Sequence, residues 1–201
     1  MMLDLGPAAE QVKTLVAGVT DDLLTAPTPC EGTPVAAMLD HFMGLTIAFR
    51  DAATKSGPPA GSDQPGPGTA SASHLDPFWR HLLPQQLDDL VAAWKEPAAW
   101  EGMTQAGGVT MPAAVMGKVV VDELVLHGWD LARGTGQPFA CDPASTQACF
   151  EFTTMASQPS EAAGREGLFG PVVDVPADAP LLDRALGLSG RDPAWRPATG
   201  R

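Results

Sequence analysis

The chain has 201 residues, enough for one domain with a real core, and it carries 24 acidic against 12 basic residues for a net charge of −12. That sign, with no Lys/Arg run, excludes nucleic acid and anionic membrane surfaces as partners, because phosphate contacts need a basic face. Cys30, Cys141 and Cys149 lack CxxC spacing, the N-terminus MMLDLGPAAEQVK has no signal-like regions, and no apolar run reaches the roughly 20 residues of a spanning helix, which predicts a reduced, soluble, cytoplasmic protein.

Leu5, Ala8, Val12, Leu15 and Val16 recur at helical spacing in LGPAAEQVKTLVAGVTDDLL, a first helix stopped by the prolines of APTPCEGTP. Thr33-Pro34 has the form of an N-cap and first-turn proline for a second helix, PVAAMLDHFMGLTIAFRDAA, with Met38, Phe42, Leu45 and Phe49 as its stripe and an end near Lys55. Residues 56–73 are too rich in Gly, Pro and Ser to pack, and are expected to form a flexible connection long enough for a crossover. Asp76-Pro77 opens a third helix through Phe78, Leu82, Leu87, Leu90 and Trp94, kinked or divided at Pro84. The segment WEGMTQAGGVTM suits a loop or a short hairpin around its paired glycines. Met111-Pro112 starts a fourth helix that runs to about Arg133 and stops at RGTGQP, and a fifth covers about Pro143 to Met155. In the tail, PVVDVP suits an extended piece and ADAPLLDRALGLSG a last helix closed by glycine.

Principal helices joined by polar connections, with few alternating apolar runs, predict a mainly α fold: a helical bundle over residues 1–158 and a short C-terminal α/β extension over 159–201 packed on it.

The fourth helix carries the anomaly. On a wheel, Glu123 and His127 lie about 40° apart inside the arc of Met116, Val120, Leu124 and Leu131, whereas Lys118, Asp122 and Arg133 fall outside its centre. A carboxylate on an apolar face must be paired, protonated or bound to metal. On the second helix His41 also points into the apolar side. Two histidines and a carboxylate from two bundle helices form a common metal ligand set, with a fourth position left for water or substrate. The alternative is a satisfied polar pair, because Glu and His four residues apart can simply hydrogen-bond. Asp130, about 20° from the Glu123 direction, is a candidate to orient one of these ligands. His74, at the end of the flexible segment, and His81, beside Arg80, are weaker ligand candidates. Cys30 stands just before a helix, where a thiol can be reactive or can simply pack, and Trp129 is assigned to packing.

The runs PTPC (27–30), LDHFMG (39–44), ELVLHGWDLARGTGQP (123–138), FGPVVDVPADAP (169–180) and GRDPAW (190–195) together resemble the maleylpyruvate isomerase-like, mycothiol-dependent family of the DinB-like four-helix group. The resemblance implies a DinB-like bundle with a crossover connection. It also implies a metal triad of His41, Glu123 and His127, a divalent ion (zinc by family, with iron(II) or nickel(II) open), and mycothiol as thiol cofactor or co-substrate. The chemistry implied is activation of the thiol sulfur for attack on an electrophilic small molecule. Thiol release then gives an isomerase, and thiol retention gives an S-transferase. A non-enzymatic metal- or ligand-binding bundle and a metal-assisted hydrolase are the alternatives, and the chain is expected to act as a monomer or homodimer.

Overall fold

A computed structural model describes residues 2–56, 70–161, 165 and 168–197. Most of the predicted connection, 57–69, therefore lies outside the described residues. Six helices and one hairpin are present among the described residues: α1 (Gly6–Ala17), α2 (Val35–Thr54), α3 (Trp79–Trp94), β1 (Met103–Ala106), β2 (Val109–Pro112), α4 (Ala113–Thr135), α5 (Pro143–Ala156) and α6 (Leu181–Leu188). The fold is mainly α, as the sequence predicts.

Helices α1 to α4 form a bundle whose ring order is α1–α3–α2–α4, so α2 lies directly beside α4. The core is built from Val12 and Leu15 of α1, Met38, Leu39 and Phe42 of α2, Leu83, Leu87 and Leu90 of α3, and Val120 and Leu124 of α4, all essentially without solvent contact. Burying a side chain of this kind contributes roughly 1.5–3 kcal/mol, which is what holds α2 and α4 side by side.

Helix α1 ends at Ala17, earlier than the run LGPAAEQVKTLVAGVTDDLL suggests, and a 3-10 turn over Asp21–Leu23 follows. Gln137 fixes that end, its Nε2 donating to the Leu15 carbonyl at 3.0 Å. Helix α2 closes at Lys55, which adopts a left-handed φ of 55° and donates Nζ hydrogen bonds to the carbonyls of Ala98 and Glu101.

Helix α3 is not divided at Pro84, which lies in its second turn and removes only the donor that would have reached the Arg80 carbonyl. Phe78 lies outside the helix and is 69 % exposed; the buried stripe is Trp79, Leu83, Leu87, Leu90 and Trp94, with Leu82 only partly covered.

The hairpin is present, with Ala106 opposite Val109 across Gly107 and Gly108. Both glycines have positive φ, 56° and 80°, as a tight two-residue turn requires. Thr104 Oγ1 donates to the Ala52 carbonyl at 2.5 Å and ties the hairpin to α2.

Helix α5, capped by Asp142 Oδ1 at the amides of Ala144 and Ser145, covers the side of α4 that faces away from the bundle. Asp122 is therefore 3 % exposed rather than part of a solvated face. The wheel treats α4 as one-sided, and the structure sandwiches it. Trp129 is buried on this flank, as expected of a packing residue.

Helix α6 packs on α5. The only strands among the described residues are those of the hairpin, so PVVDVP is irregular backbone. Its Val173 amide donates to the Gly187 carbonyl at 2.9 Å, pairing with the end of α6 instead of another strand.

Candidate metal centre

The side-by-side packing of α2 and α4 sets His41 opposite Glu123 and His127. His41 Nε2 and His127 Nε2 each lie 3.2 Å from Glu123 Oε2, and one ligand atom from each of the three residues falls within a 4.8 Å group. The imidazole rings meet edge to face at 4.7 Å between centroids, with the Phe42 ring packed edge-on against His127. All three side chains keep a little exposure, 15–23 %, so the group is reachable from solvent and not part of the sealed core.

The donor set fits a metal ion on its own geometry. Ligands held about 2.0–2.1 Å from a tetrahedral ion stand about 3.3 Å apart, close to the Nε2–Oε2 separations here. The far side of His127 is fixed as well: Nδ1 lies 3.0 Å from Asp130 Oδ2. A carboxylate on Nδ1 selects the tautomer that leaves Nε2 free to coordinate.

Asp130 is fully buried and is held in turn by Arg191. The guanidinium donates from Nε to Asp130 Oδ1 at 2.9 Å and from Nη2 to Oδ2 at 2.7 Å, with Nη1 on Ser189 Oγ at 3.2 Å. Arg191 belongs to the GRDPAW run of the extension, 64 residues beyond His127. Wheel reasoning on α4 could not reach it. The available signal was a single arginine inside a recognisable tail motif, with nothing to say where the tail lands.

Cys30 also comes to the site. Its sulfur, a His127 ring nitrogen and an Asp130 carboxylate oxygen lie within 4.8 Å of one another. The loop carrying it is pinned by Thr28, whose Oγ1 donates to the Thr33 carbonyl at 2.7 Å and accepts from the Cys30 amide at 3.2 Å. Gly134 lets this loop press onto α4, because a Cβ there would meet Thr28 and the Pro27 carbonyl at about the 3.0 Å limit. The two weaker histidines stay away: His81 is exposed and contacts Gln85, and His74 is exposed in a turn before α3.

The electrostatics of the metal-free site follow from its hydrogen bonds. Burial works against charge on His127, yet Asp130 on one nitrogen and Glu123 on the other push its pKa up to about 10. Glu123 shows the converse: burial would raise it, but the His127 and His41 imidazoles hold its carboxyl below the usual range. For His127 the sign is that of a group gaining partners. It adds stability to the metal-free fold below the unfolded value near 6.5, and that contribution is lost as pH rises through about 10. A metal held by these residues would have to displace this proton, so affinity for zinc would rise about tenfold per pH unit between roughly pH 6.5 and 9, with about one proton released per ion. Calorimetric titrations in buffers of different ionisation enthalpy measure both.

Asp122, behind Glu123 on the α5 side, accepts from Cys149 Sγ at 3.2 Å. Burial, and then the charge of Glu123, push its carboxyl up to about 7. A raised acid pKa removes stability as pH climbs from the unfolded value of 3.8 to about 7. Asp122→Asn keeps the acceptor and removes that charge, so it is expected to raise the melting temperature of the metal-free protein by several degrees at pH 8 and leave it unchanged near pH 4. Thermal melts at the two pH values check this.

The profile of the family described as mycothiol maleylpyruvate isomerase N-terminal domain matches residues 5–132 of the chain, a span that includes His41, Glu123, His127 and Asp130 and stops short of Arg191. Two uncharacterized proteins of Mycobacterium tuberculosis, one from strain CDC 1551 and one from strain H37Rv, are each 28% identical over 147 residues, covering 68% of this chain and 68% of their own length. No solved structure matches significantly. No helix among the described residues is long and apolar enough to cross a membrane.

Proposed function

We propose, for a chain that belongs to the mycothiol maleylpyruvate isomerase N-terminal domain family, a metal-dependent enzyme that directs a low-molecular-weight thiol of the mycothiol type at an electrophilic small molecule. The observation that carries this reading is the triad: three donor side chains from two helices, with each imidazole 3.2 Å from Glu123 and the outer nitrogen of His127 tied to Asp130.

In this reading His41, Glu123 and His127 hold the ion, zinc first and iron(II) or nickel(II) next, since two imidazoles and a carboxylate suit all three. When bound, the metal acts as a Lewis acid that lowers a thiol pKa and makes thiolate available at neutral pH. The protein's own contribution is orientation. Asp130 accepts from His127 Nδ1 and keeps the ring in the tautomer that presents Nε2, and Arg191 holds Asp130 in place. In this reading the bundle (1–158) supplies the ligands and the extension (159–201) supplies that arginine. Phe42 and the apolar wall of α2 exclude water from one side of the group, which strengthens its electrostatics.

Thiol attack on an activated double bond followed by release would isomerise it; attack with retention would transfer the thiol. Both outcomes use the same residues, so the class of reaction is the conclusion here. Hydrolysis is disfavoured by a particular contact: both oxygens of Asp130, the candidate base, are engaged by Arg191 and His127. Three free cysteines fit a reducing cytoplasm in which a small thiol is abundant.

The test is to incubate zinc-loaded protein with mycothiol and a panel of activated cis-alkenes and alkylating electrophiles. Isomerised or thiol-conjugated product that needs both metal and thiol supports the reading. Product formed with metal but no thiol sinks it in favour of hydrolysis, and stoichiometric metal without any turnover across the panel sinks it in favour of a binding protein.

A further inference from the structure

Solvent reaches the triad from one direction. Helices α2 and α4 run antiparallel, with the hairpin at one end of the pair: Thr104 of β1 bonds the Ala52 carbonyl near the end of α2, and β2 leads directly into Ala113 of α4. Residues three or four positions apart share a helix face, so the turns on either side of the triad can be compared. Away from the hairpin they are sealed, with Ala37 on α2 and Leu126 and Asp130 on α4 all buried. Toward the hairpin, Gly44 is exposed and Ala48 and Val119 are partly exposed, beside buried Leu45 and Met116. The strip leading to the triad is therefore apolar, and on α2 it is lined by the smallest side chains. Gly44 weakens its own helix, since glycine is a poor helix former. Inside α4 and α6, Gly117, Gly128 and Gly187 each make room for a neighbour, because Trp100, Phe139 and Val175 occupy the space a Cβ would take. A Cβ at Gly44 would meet no group within 4 Å among the described residues. That free space lies one turn from His41, on the side from which solvent enters.

The cations around this strip have other partners. Arg50 pairs with Asp51, Lys118 with Glu151 on α5, Arg133 lies over the Trp129 ring, and Arg191 of the extension is held by Asp130. Asp40, which precedes His41 in the chain, adds a carboxylate, and it accepts from the Ser71 amide at 2.9 Å. A carboxylate carried along the strip would lose water without gaining a cation. We infer that the electrophile of this site is an uncharged molecule with a slim apolar arm, which lies along Gly44, Ala48 and Val119 while its reactive carbon faces the triad. The inference rests on the thiol-site reading above and names the substrate class of that site. Gly44 sets the width of the strip on α2, since any side chain there would take the place of the arm, and Val119 sets it on α4.

The experiment supplies zinc-loaded full-length protein with mycothiol and three cis-alkenes built on one double bond: diethyl maleate, dibutyl maleate and maleate itself. Trans isomer and thiol adduct are counted together by chromatography. Each alkene is scored as kcat/KM divided by its rate with mycothiol alone, which cancels intrinsic reactivity. The score for diethyl maleate is expected to exceed that for maleate about tenfold or more, and Gly44→Leu to lower it about tenfold through KM with zinc content unchanged. Val119→Ala, which widens the strip without adding bulk, is expected to raise dibutyl maleate severalfold relative to diethyl maleate. Maleate scoring as high as the diester, a wild-type KM in Gly44→Leu, or an unchanged diester ratio in Val119→Ala overturns the inference and leaves the thiol reading standing. The two are separated further by cobalt-loaded protein. A sulfur-to-cobalt absorption band on adding mycothiol, with no product from any of the three alkenes, overturns the substrate class alone. No such band overturns the thiol reading, and the substrate class with it.

Discussion

Protein purified without a histidine tag is expected to carry about one divalent ion per chain, and His41→Ala, Glu123→Ala and His127→Ala each to reduce this to near zero, because three protein ligands are the minimum that holds such an ion tightly. Elemental analysis after gel filtration measures it. Glu123→Gln is the more discriminating variant. It preserves the shape and one acceptor between the two imidazoles but removes the charge that both of them approach at 3.2 Å. If the group were only a hydrogen-bonded polar cluster, Glu123→Gln would cost stability and leave metal content where wild type has it. If the group is a metal centre, metal is lost while the helical fold survives, since the bundle core of Leu39, Leu87 and Leu124 is untouched. Variants that retain full occupancy would remove the triad from consideration. The comparison is cleanest toward pH 9, where the ion competes less with the proton on His127.

How much of this was legible beforehand depends on how local the determinant is. His41, Glu123 and His127 could be singled out because a helix wheel is a local construction and a charged residue in an apolar arc contradicts it. The same wheel misplaced Asp122, because it assumes one buried face and cannot know that α5 will cover the other. The paired glycines at 107 and 108 permitted the hairpin without choosing it over a loop, since a two-residue turn needs positive φ and glycine supplies it. Phe78 shows the opposite case. An aromatic in register with a helical stripe was read as core, but the Asp76 carboxylate accepts from the Phe78 amide at 2.7 Å, and the helix starts one residue later with Trp79 turned inward. Arg191 and Cys30 are non-local altogether. One arrives from the tail and the other from the loop before α2, and only the packed chain shows that both converge on His127.

That convergence makes Arg191 the second large expectation. Asp130 has no exposure and Arg191 has 9 %, so the pair is a buried, bidentate ion pair with no water to replace either partner. Removing one side of such a pair costs roughly 3–5 kcal/mol, because the remaining charge is left desolvated. Arg191→Ala is therefore expected to lower stability by about that amount, partly offset in the metal-free protein by the His127 contact at 3.0 Å. Its metal affinity should also fall about 10–100-fold, since Asp130 would no longer be held against Nδ1. Arg191→Lys keeps the charge without the planar fork and should fall between the two. The double variant Asp130→Asn/Arg191→Ala separates the roles. It abolishes the buried unpaired charge, so stability should recover most of the loss, whereas metal affinity should stay low because a neutral amide polarises His127 less than a carboxylate does. Denaturant melts and metal titrations on the same four proteins read the two quantities independently. If affinity tracked stability across all four, Arg191 would be a fold-holding residue alone. If affinity stays depressed while stability recovers, the extension acts on the metal centre through Asp130, and the tail of the chain is part of the site's machinery.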